Sequence, residues 1–261
     1  MRAIILAAGR GQRLQQPEDQ QVPKCLLRFG GKSLLERHLL ALRDCGVAEV
    51  VLALGFKREL IEAELERMKV VPRTEIVINP AFELGSVLTV HTAAEPLGRG
   101  GDVLLMDADV LYHTRILQAL VSGERAMNRV LMDREFEPGD EPVKLCLRGG
   151  APVELRKRVP TDLEYDSIGE SVGFFRFDET GARRLVELVA GYVARGATDM
   201  PHEEAVRDLI RERGRTFDVA DVTGLPWIEI DFPNDVARAE REILPELEAT
   251  GTTPSGSCPI V

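Results

Sequence analysis

The chain has 261 residues, of which 44% are hydrophobic and 29% charged, ordinary globular values that allow one large α/β domain or two small ones. Its formal net charge of −10 argues against a general nucleic-acid binder, which needs a basic surface. No apolar run reaches the roughly 18–20 residues of a membrane span, and the N-terminal residues lack the three-part pattern of a signal peptide.

In chain order, Arg2 to Ala7 reads as a buried parallel strand, and residues 8–32, rich in Gly, Gln and Pro, as loop. The stretch 6–14, LAAGRGQRL, leaves the strand through a Gly-x-Gly turn. Its bare amides could simply turn the chain, or they could wrap phosphate oxygens. The turn lacks the third glycine of the dinucleotide fingerprint and is not GxxxxGK[ST]. Arg10, Arg13 and the later Lys24 add the planar forks and point charge that suit phosphate.

Ser33 and Glu36 form a capping box that opens a helix carrying Leu35, Leu39 and Leu42 on one face and ending near Gly46. A strand at 49–54, a charged helix from about Lys57 to Met68 and a strand at 74–79 follow. A helix is expected from Ser86 through LTVHTAAE, then the strand DVLLMDAD (102–109), a helix over 114–122 and a strand at 129–133. This alternation predicts a mostly parallel sheet with helices on both faces.

Beyond it, 143–150 and 151–158 predict a hairpin turning at Gly149-Gly150. A strand at 170–177, helices at 179–194 and 203–212, the strand WIEID (227–231) and a helix at 233–248 complete the reading. Residues 1–248 are expected to form one domain with a β-rich insertion or lid at about 134–170. Residues 249–261 read as a mobile tail. Cys25, Cys45, Cys146 and Cys258 are scattered without metal spacing, as expected of reduced thiols in a cytoplasmic protein.

Strand period two points Asp107 and Asp109 the same way, and likewise Glu229 and Asp231. Each pair ends an apolar run, where parallel sheets bind ligands, and hard oxygen ligands suit Mg²⁺. For any one Asp, helix capping is the alternative.

LAAGRGQRL followed by PKCLL resembles the signature of nucleotidyltransferases that join a nucleoside triphosphate to a sugar phosphate or phospho-alcohol. The segments NPAFELGSVLTV, MDADVLYH, PHEEAVRD and PWIEIDFPNDV look most like cytidylyltransferases acting on phosphocholine and related amino- or polyol-phosphates. The sequence departs from the pattern at Gln15 and in the long stretch QQPEDQQV. The resemblance implies a Rossmann-like nucleotidyltransferase fold and Mg²⁺-dependent transfer of CMP from CTP to a small phosphorylated alcohol, with release of pyrophosphate.

It also implies roles for particular residues. Leu6, Ala7, Ala8, Gly9, Arg10 and Gly11 would line the nucleotide, the N–H groups of Ala8 to Gly11 holding the triphosphate. Gly85 and Ser86 would open a helix that meets the nucleotide at its base, plain N-capping by Ser86 being the alternative. Arg13 would grip the β- and γ-phosphates and Lys24 the α-phosphate. Asp109 and Asp231 would ligate the metal, with Asp107 and Glu229 supporting them, and Lys157 would hold the acceptor phosphate.

A quaternary ammonium on the acceptor would want aromatic rings. Tyr112, Tyr165, Phe174 and Trp227 are the candidates, with Glu170, Glu203 and Glu204 as acidic walls. Choline is not favoured over an amino-alcohol, a phosphonate or inositol phosphate. His38, His91, His113 and His202 do not cluster in sequence and are given no role.

The nearest alternative is a sugar-1-phosphate or molybdenum-cofactor nucleotidyltransferase. Outside enzymes it is a regulatory subunit that binds a nucleotide without catalysis. The expected partners are CTP and a phosphorylated acceptor, without nucleic acid or membrane insertion. The oligomeric state is left open, a homodimer being one option.

Overall fold

The computed structural model describes residues 1–15, 21–68, 72–123 and 127–250. Residues 16–20 of the long QQPEDQQV stretch and 251–261 of the expected tail lie outside the described residues.

The chain opens with β1 (Arg2–Ala7), apolar from Ala3 onward, and then the Gly-rich turn. A short hairpin, β2 (Arg28–Phe29) and β3 (Lys32–Ser33), occupies part of the segment expected as loop and leads into α1 (Leu34–Asp44). Ser33 caps that helix, its Oγ accepting the Glu36 N–H at 3.1 Å.

Next come β4 (Glu49–Leu54), α2 (Arg58–Arg67), β5 (Arg73–Ile78), α3 (Ser86–Thr92) and α4 (Ala94–Gly98). They are followed by β6 (Val103–Asp107), β7 (Val110–Tyr112), α5 (Thr114–Val121), β8 (Asn128–Asp133), β9 (Lys144–Arg148), β10 (Ala151–Arg156) and β11 (Ser167–Phe177). The last elements are α6 (Glu179–Ala194), α7 (Glu203–Arg213), β12 (Phe217–Asp221), β13 (Trp227–Glu229), α8 (Pro233–Arg238) and α9 (Leu244–Thr250), with a π turn over Ala239–Ile243.

Among the described residues, nine strands share one sheet. Its parallel part runs β5-β4-β1-β6. The long β11 then pairs antiparallel with β6, β8 and β9. β12 adds in parallel to β8, and β10 closes the β9 hairpin. That hairpin turns where expected, with Gly149 and Gly150 both at positive φ (58° and 80°), as a tight two-residue turn demands. The segment expected as an insertion thus contributes strands to the main sheet through β9 and β11.

Helices cover both faces, and the alternation of β1 shows why. Ala3, Ile5 and Ala7 pack with α1 and α5 residues such as Leu39 and Ile116, while Ile4 packs with Val87, Leu185 and Leu209 on the other side. A third apolar cluster, including Leu14, Phe29, Ile228 and Ala239, seats the C-terminal helices. Among the described residues, no helix is long and apolar enough to cross a membrane.

Two helices depart from expectation for the same reason. The helix from Ser86 breaks at Ala93 and restarts as α4, because Pro96 has no N–H for an i→i−4 bond to Thr92. The last helix carries a π turn just ahead of Pro245, which cannot donate to Arg241.

One buried ion pair ties α7 to β10. Glu154 is 2% exposed and Arg207 8%, and the guanidinium donates through Nε and Nη2 to the carboxylate. Arg207→Ala leaves Glu154 buried without its partner and is expected to lower unfolding free energy by about 3–5 kcal/mol. Urea denaturation checks this, and a loss under about 1 kcal/mol would show that the pair does not hold α7.

Candidate active site

The turn after β1 lines a cavity of about 500 Å³ at the carboxyl ends of the parallel strands. Leu6, Ala7, Ala8, Gly9, Arg10 and Gly11 all face it. Gly11 has φ 64°, and a Cβ there would lie 3.0 Å from Lys24 Cγ, so glycine lets the lysine stem cross the turn. The turn is pinned from behind by Phe56 N–H donating to Ala8 O at 3.0 Å. Arg10 stacks over Phe56 and pairs with Glu83 at 3.3 Å.

Asp109 and Asp231, 122 positions apart in sequence, meet because β13 pairs with β7, with Glu229 opposite Val110 and Ile230 N–H donating to Asp109 O at 2.9 Å. The start of α8 fixes Asp231 further, as Asp235 Oδ2 accepts the N–H groups of Asp231 and Phe232. Lys24 Nζ donates to both carboxylates, at 2.7 Å from Asp109 Oδ2 and 2.7 Å from Asp231 Oδ1. Burial alone would lower the Lys24 pKa, but the two aspartates outweigh it and the net shift is upward.

Glu229 joins them: Asp109, Glu229 and Asp231 each offer an oxygen within 4.8 Å of the others. Burial, then Asp109 and Asp231, pushes the Glu229 carboxyl well above its ordinary range. Burial, then Glu203 and Asp109, does the same for Asp107, whose Oδ2 would lie 2.5 Å from a Cβ on Gly173. Burial is the first cause of both shifts, and the neighbouring carboxylates add to it despite Lys24. Three hard oxygen donors in that field fit a divalent cation such as Mg²⁺.

Two cations stand at the mouth. Arg13 reaches Asp231 Oδ1 at 2.9 Å, and both Arg13 and Lys157 lie 3.1 Å from Glu141 Oε2. The side chains expected to take phosphates thus share one exposed carboxylate.

The expected base-side residues divide. Ser86 lines the cavity, but as the first residue of α3 rather than its cap. Gly85 does not line it: a Cβ there would be 2.2 Å from Met200 O, and its N–H donates to Thr198 O, so it packs α3 against the 198–200 segment.

His202, given no role from sequence, contacts Ser86 across 116 positions. Its N–H donates to Ser86 Oγ at 2.8 Å, and Nδ1 lies 3.1 Å from both Ser86 Oγ and Glu203 Oε2. Nε2 has no hydrogen-bond partner in a side chain that lines the cavity and is only 3% exposed as a residue. Glu203 lines the same cavity.

The expected acceptor residues are scattered. Tyr112 does not face the cavity; it lies in the core with its ring edge-on to Phe174 and its hydroxyl 3.3 Å from His38 Nδ1. Phe174 is fully buried in the same core. Tyr165 is exposed and lines neither cavity, and Glu204 is engaged by Arg156. Glu170 and Trp227 line a second cavity of about 460 Å³, which shares Glu229 and Asp231 with the first.

The profile of the MobA-like NTP transferase domain matches residues 3–161, more than half of the chain. The chain belongs to that family. Relatives of this MobA-like protein include the CMP-5'-(3-aminopropyl)phosphonate synthase of Streptomyces rubellomurinus, 28% identical over 95% of this chain. The CTP:phosphoglutamine cytidylyltransferase of Campylobacter jejuni is 23% identical over 90% of this chain. The chain spans 40% of the length of the first and 98% of the second. The solved inositol-1-phosphate CTP transferase from T. maritima shares the fold, with a TM-score of 0.75 at 21% identity and 97% of each chain covered.

Glu170 has no ion pair or side-chain hydrogen bond among the described residues, and its carboxyl is pushed up to about 7 from 4.5 by burial first and Asp133 second. Between those values the folded protein holds a proton the unfolded chain has lost, so this group makes stability fall as pH rises through about 4.5–7. Glu170→Gln is expected to be about 1–2 kcal/mol more stable than the parent at pH 8, allowing for solvent screening, with the gain vanishing near pH 4.5. Urea denaturation at both pH values measures it, and an equal or less stable variant at pH 8 would contradict the charge crowding.

Proposed function

We propose that the chain is an Mg²⁺-dependent cytidylyltransferase that moves CMP from CTP to a small phosphorylated alcohol or phosphonate and releases pyrophosphate. The observation that carries this reading is the convergence of the Ala8–Gly11 turn, Lys24 and the Asp109–Glu229–Asp231 group on one cavity. Relatives named for CTP or for a CMP product support CTP as the donor.

In this reading the backbone N–H groups of Ala8 to Gly11 hold the triphosphate, and Arg13 takes its outer phosphates. Lys24 neutralises charge at the α-phosphate. Lys157 takes the acceptor phosphate, whose oxygens replace the Glu141 carboxylate. That phosphate is already largely dianionic at neutral pH, with a second pKa of about 6, and needs no general base. One of its oxygens bonds to the α-phosphorus as the α–β bridging P–O bond breaks, the electron pair leaving with pyrophosphate. The protein's work is to bring two anions together in line and cancel their repulsion. Held by Asp109 and Asp231 with Glu229 beside them, Mg²⁺ would add positive charge at the phosphates.

A cytoplasmic setting, where nucleoside triphosphates are made, goes with the buried free thiols of Cys25 and Cys146.

Pyrophosphate release measured with CTP, UTP, GTP and ATP over a panel of phosphorylated acceptors tests the donor and the reaction together. CTP is expected to lead, and activity confined to a hexose 1-phosphate or to molybdopterin would remove the reading. Lys24→Ala, assayed with Mg²⁺ and with circular dichroism unchanged, is expected to lower kcat by at least about 10²-fold. Turnover near the parent's would contradict the role given to Lys24.

A further inference from the structure

The second cavity has a composition of its own. Its walls come from the segment before β9, from Glu170 on β11, from Asp133 at the end of β8, and from the run between Trp227 and Arg238. Nine of the lining residues are Asp or Glu, and one, Arg238, is basic. Most of the carboxylates are already engaged. Arg238 takes Glu137 at 3.2 Å, Arg158 takes Asp140 at 3.1 Å, and Glu141 bridges Arg13 and Lys157. Asp235 accepts backbone N–H groups at the start of α8.

Two features remain that these contacts do not account for. Glu170 has neither an ion pair nor a side-chain hydrogen bond among the described residues. Burial first and the neighbouring Asp133 second hold its carboxyl up near 7, against the opposing pull of Lys144 and Lys157. The cavity is also walled by the rings of Trp227, Phe136 and Phe232. The Trp227 ring is fixed, since its Nε1–H donates to Asp133 Oδ2 at 2.8 Å, and Asp133 Oδ1 accepts the Glu135 N–H. Phe232 already carries one cation on its face, the Arg13 guanidinium 5.4 Å from the ring centroid.

An occupant of this cavity must suit acid and aromatic surface at once. A second anionic group would be repelled by the carboxylates. A neutral polyol could hydrogen-bond to them but would leave the charge on Glu170 uncompensated and gain little from three aromatic rings. A cationic nitrogen satisfies both kinds of wall. The cavity adjoins the proposed phosphate site, sharing Glu229 and Asp231 with it, so the two ends of one small molecule would fall in neighbouring cavities.

We infer that the acceptor is a short phosphate monoester or phosphonate whose far end carries a cationic nitrogen, an amine or a quaternary ammonium, seated between Glu170 and Trp227. The inference rests on the cytidylyltransferase reading and narrows its acceptor.

The test uses the full chain with CTP and Mg²⁺ and compares charged acceptors with neutral isosteres. Aminoethyl phosphate is set against propyl phosphate, and phosphocholine against 3,3-dimethylbutyl phosphate, with inositol 1-phosphate and glycerol 3-phosphate as polyols. At least one charged member is expected to exceed its neutral isostere in kcat/KM by at least about 30-fold, mostly through KM. Which charged member leads assigns amine or quaternary ammonium. Glu170→Gln is expected to raise KM for the charged acceptor about 10-fold while KM for CTP stays within about twofold.

Equal use of charged and neutral acceptors, or a polyol preferred over both charged compounds, would overturn the inference while leaving CMP transfer standing. So would a Glu170→Gln effect of the same size on both members of a pair. Absence of pyrophosphate from CTP with every acceptor would remove the underlying reading instead.

Discussion

Lys24 holds apart two carboxylates that the fold forces together. Asp109 and Asp231 arrive from distant parts of the chain, and the three-residue ladder between β7 and β13 leaves them no room to separate. Two like charges about 4 Å apart repel by about 4 kcal/mol at the effective dielectric of a protein surface. The ammonium between them reverses that sign. Even so, burial first and the neighbouring carboxylates second keep Asp107 and Glu229 pushed toward their neutral forms. In the proposed reaction such a site would accept a divalent cation at the carboxylates and release Lys24 and Arg13 to phosphate oxygens.

The two parts of the sheet divide the labour. The parallel part ends in the Gly-rich turn and the DAD segment, so backbone amides and carboxylates lie along one edge of a cavity. The antiparallel part, organised by β11, supplies Ser171, Gly173 and Glu170, and the chain that links β8 to β9 supplies Glu141 and Phe136. Gly173, at φ 79° and against Asp107, marks where these parts close on each other. Cations and carboxylates both line the first cavity, while the second gathers acids and aromatic rings.

Much of this was legible because it rests on short-range rules. β1, the Ser33 cap and the Gly149-Gly150 hairpin follow from strand period, capping and turn chemistry. What was hidden depends on contacts across the chain. His202 reaches Ser86 over 116 positions, and no local pattern around it marks a ligand-facing ring. Glu141 reads as one more exposed acid until β9 and β10 carry Lys157 beside it. Gly85 misled because it lies between Leu84 and Ser86, which do face the cavity, and Tyr112 because it lies three positions past Asp109, which does. Tyr112 is drawn into the core by Phe174 and His38, and Gly85 is pressed against the backbone at Met200. The helix breaks at Ala93 and Ala239–Ile243 trace to Pro96 and Pro245, signals present in the sequence but overruled there by apolar periodicity.

In the proposed reaction the carboxylate pair exchanges its lysine for a metal when the nucleotide arrives. A crystal structure of the protein with CTP and Mg²⁺ measures that directly. The triphosphate should lie on the Ala8–Gly11 amides, with a divalent ion bound by Asp109 and Asp231 and Lys24 Nζ turned from at least one of them to the α-phosphate. A nucleotide bound elsewhere, or Lys24 still bridging both aspartates beside an ordered triphosphate, would contradict it.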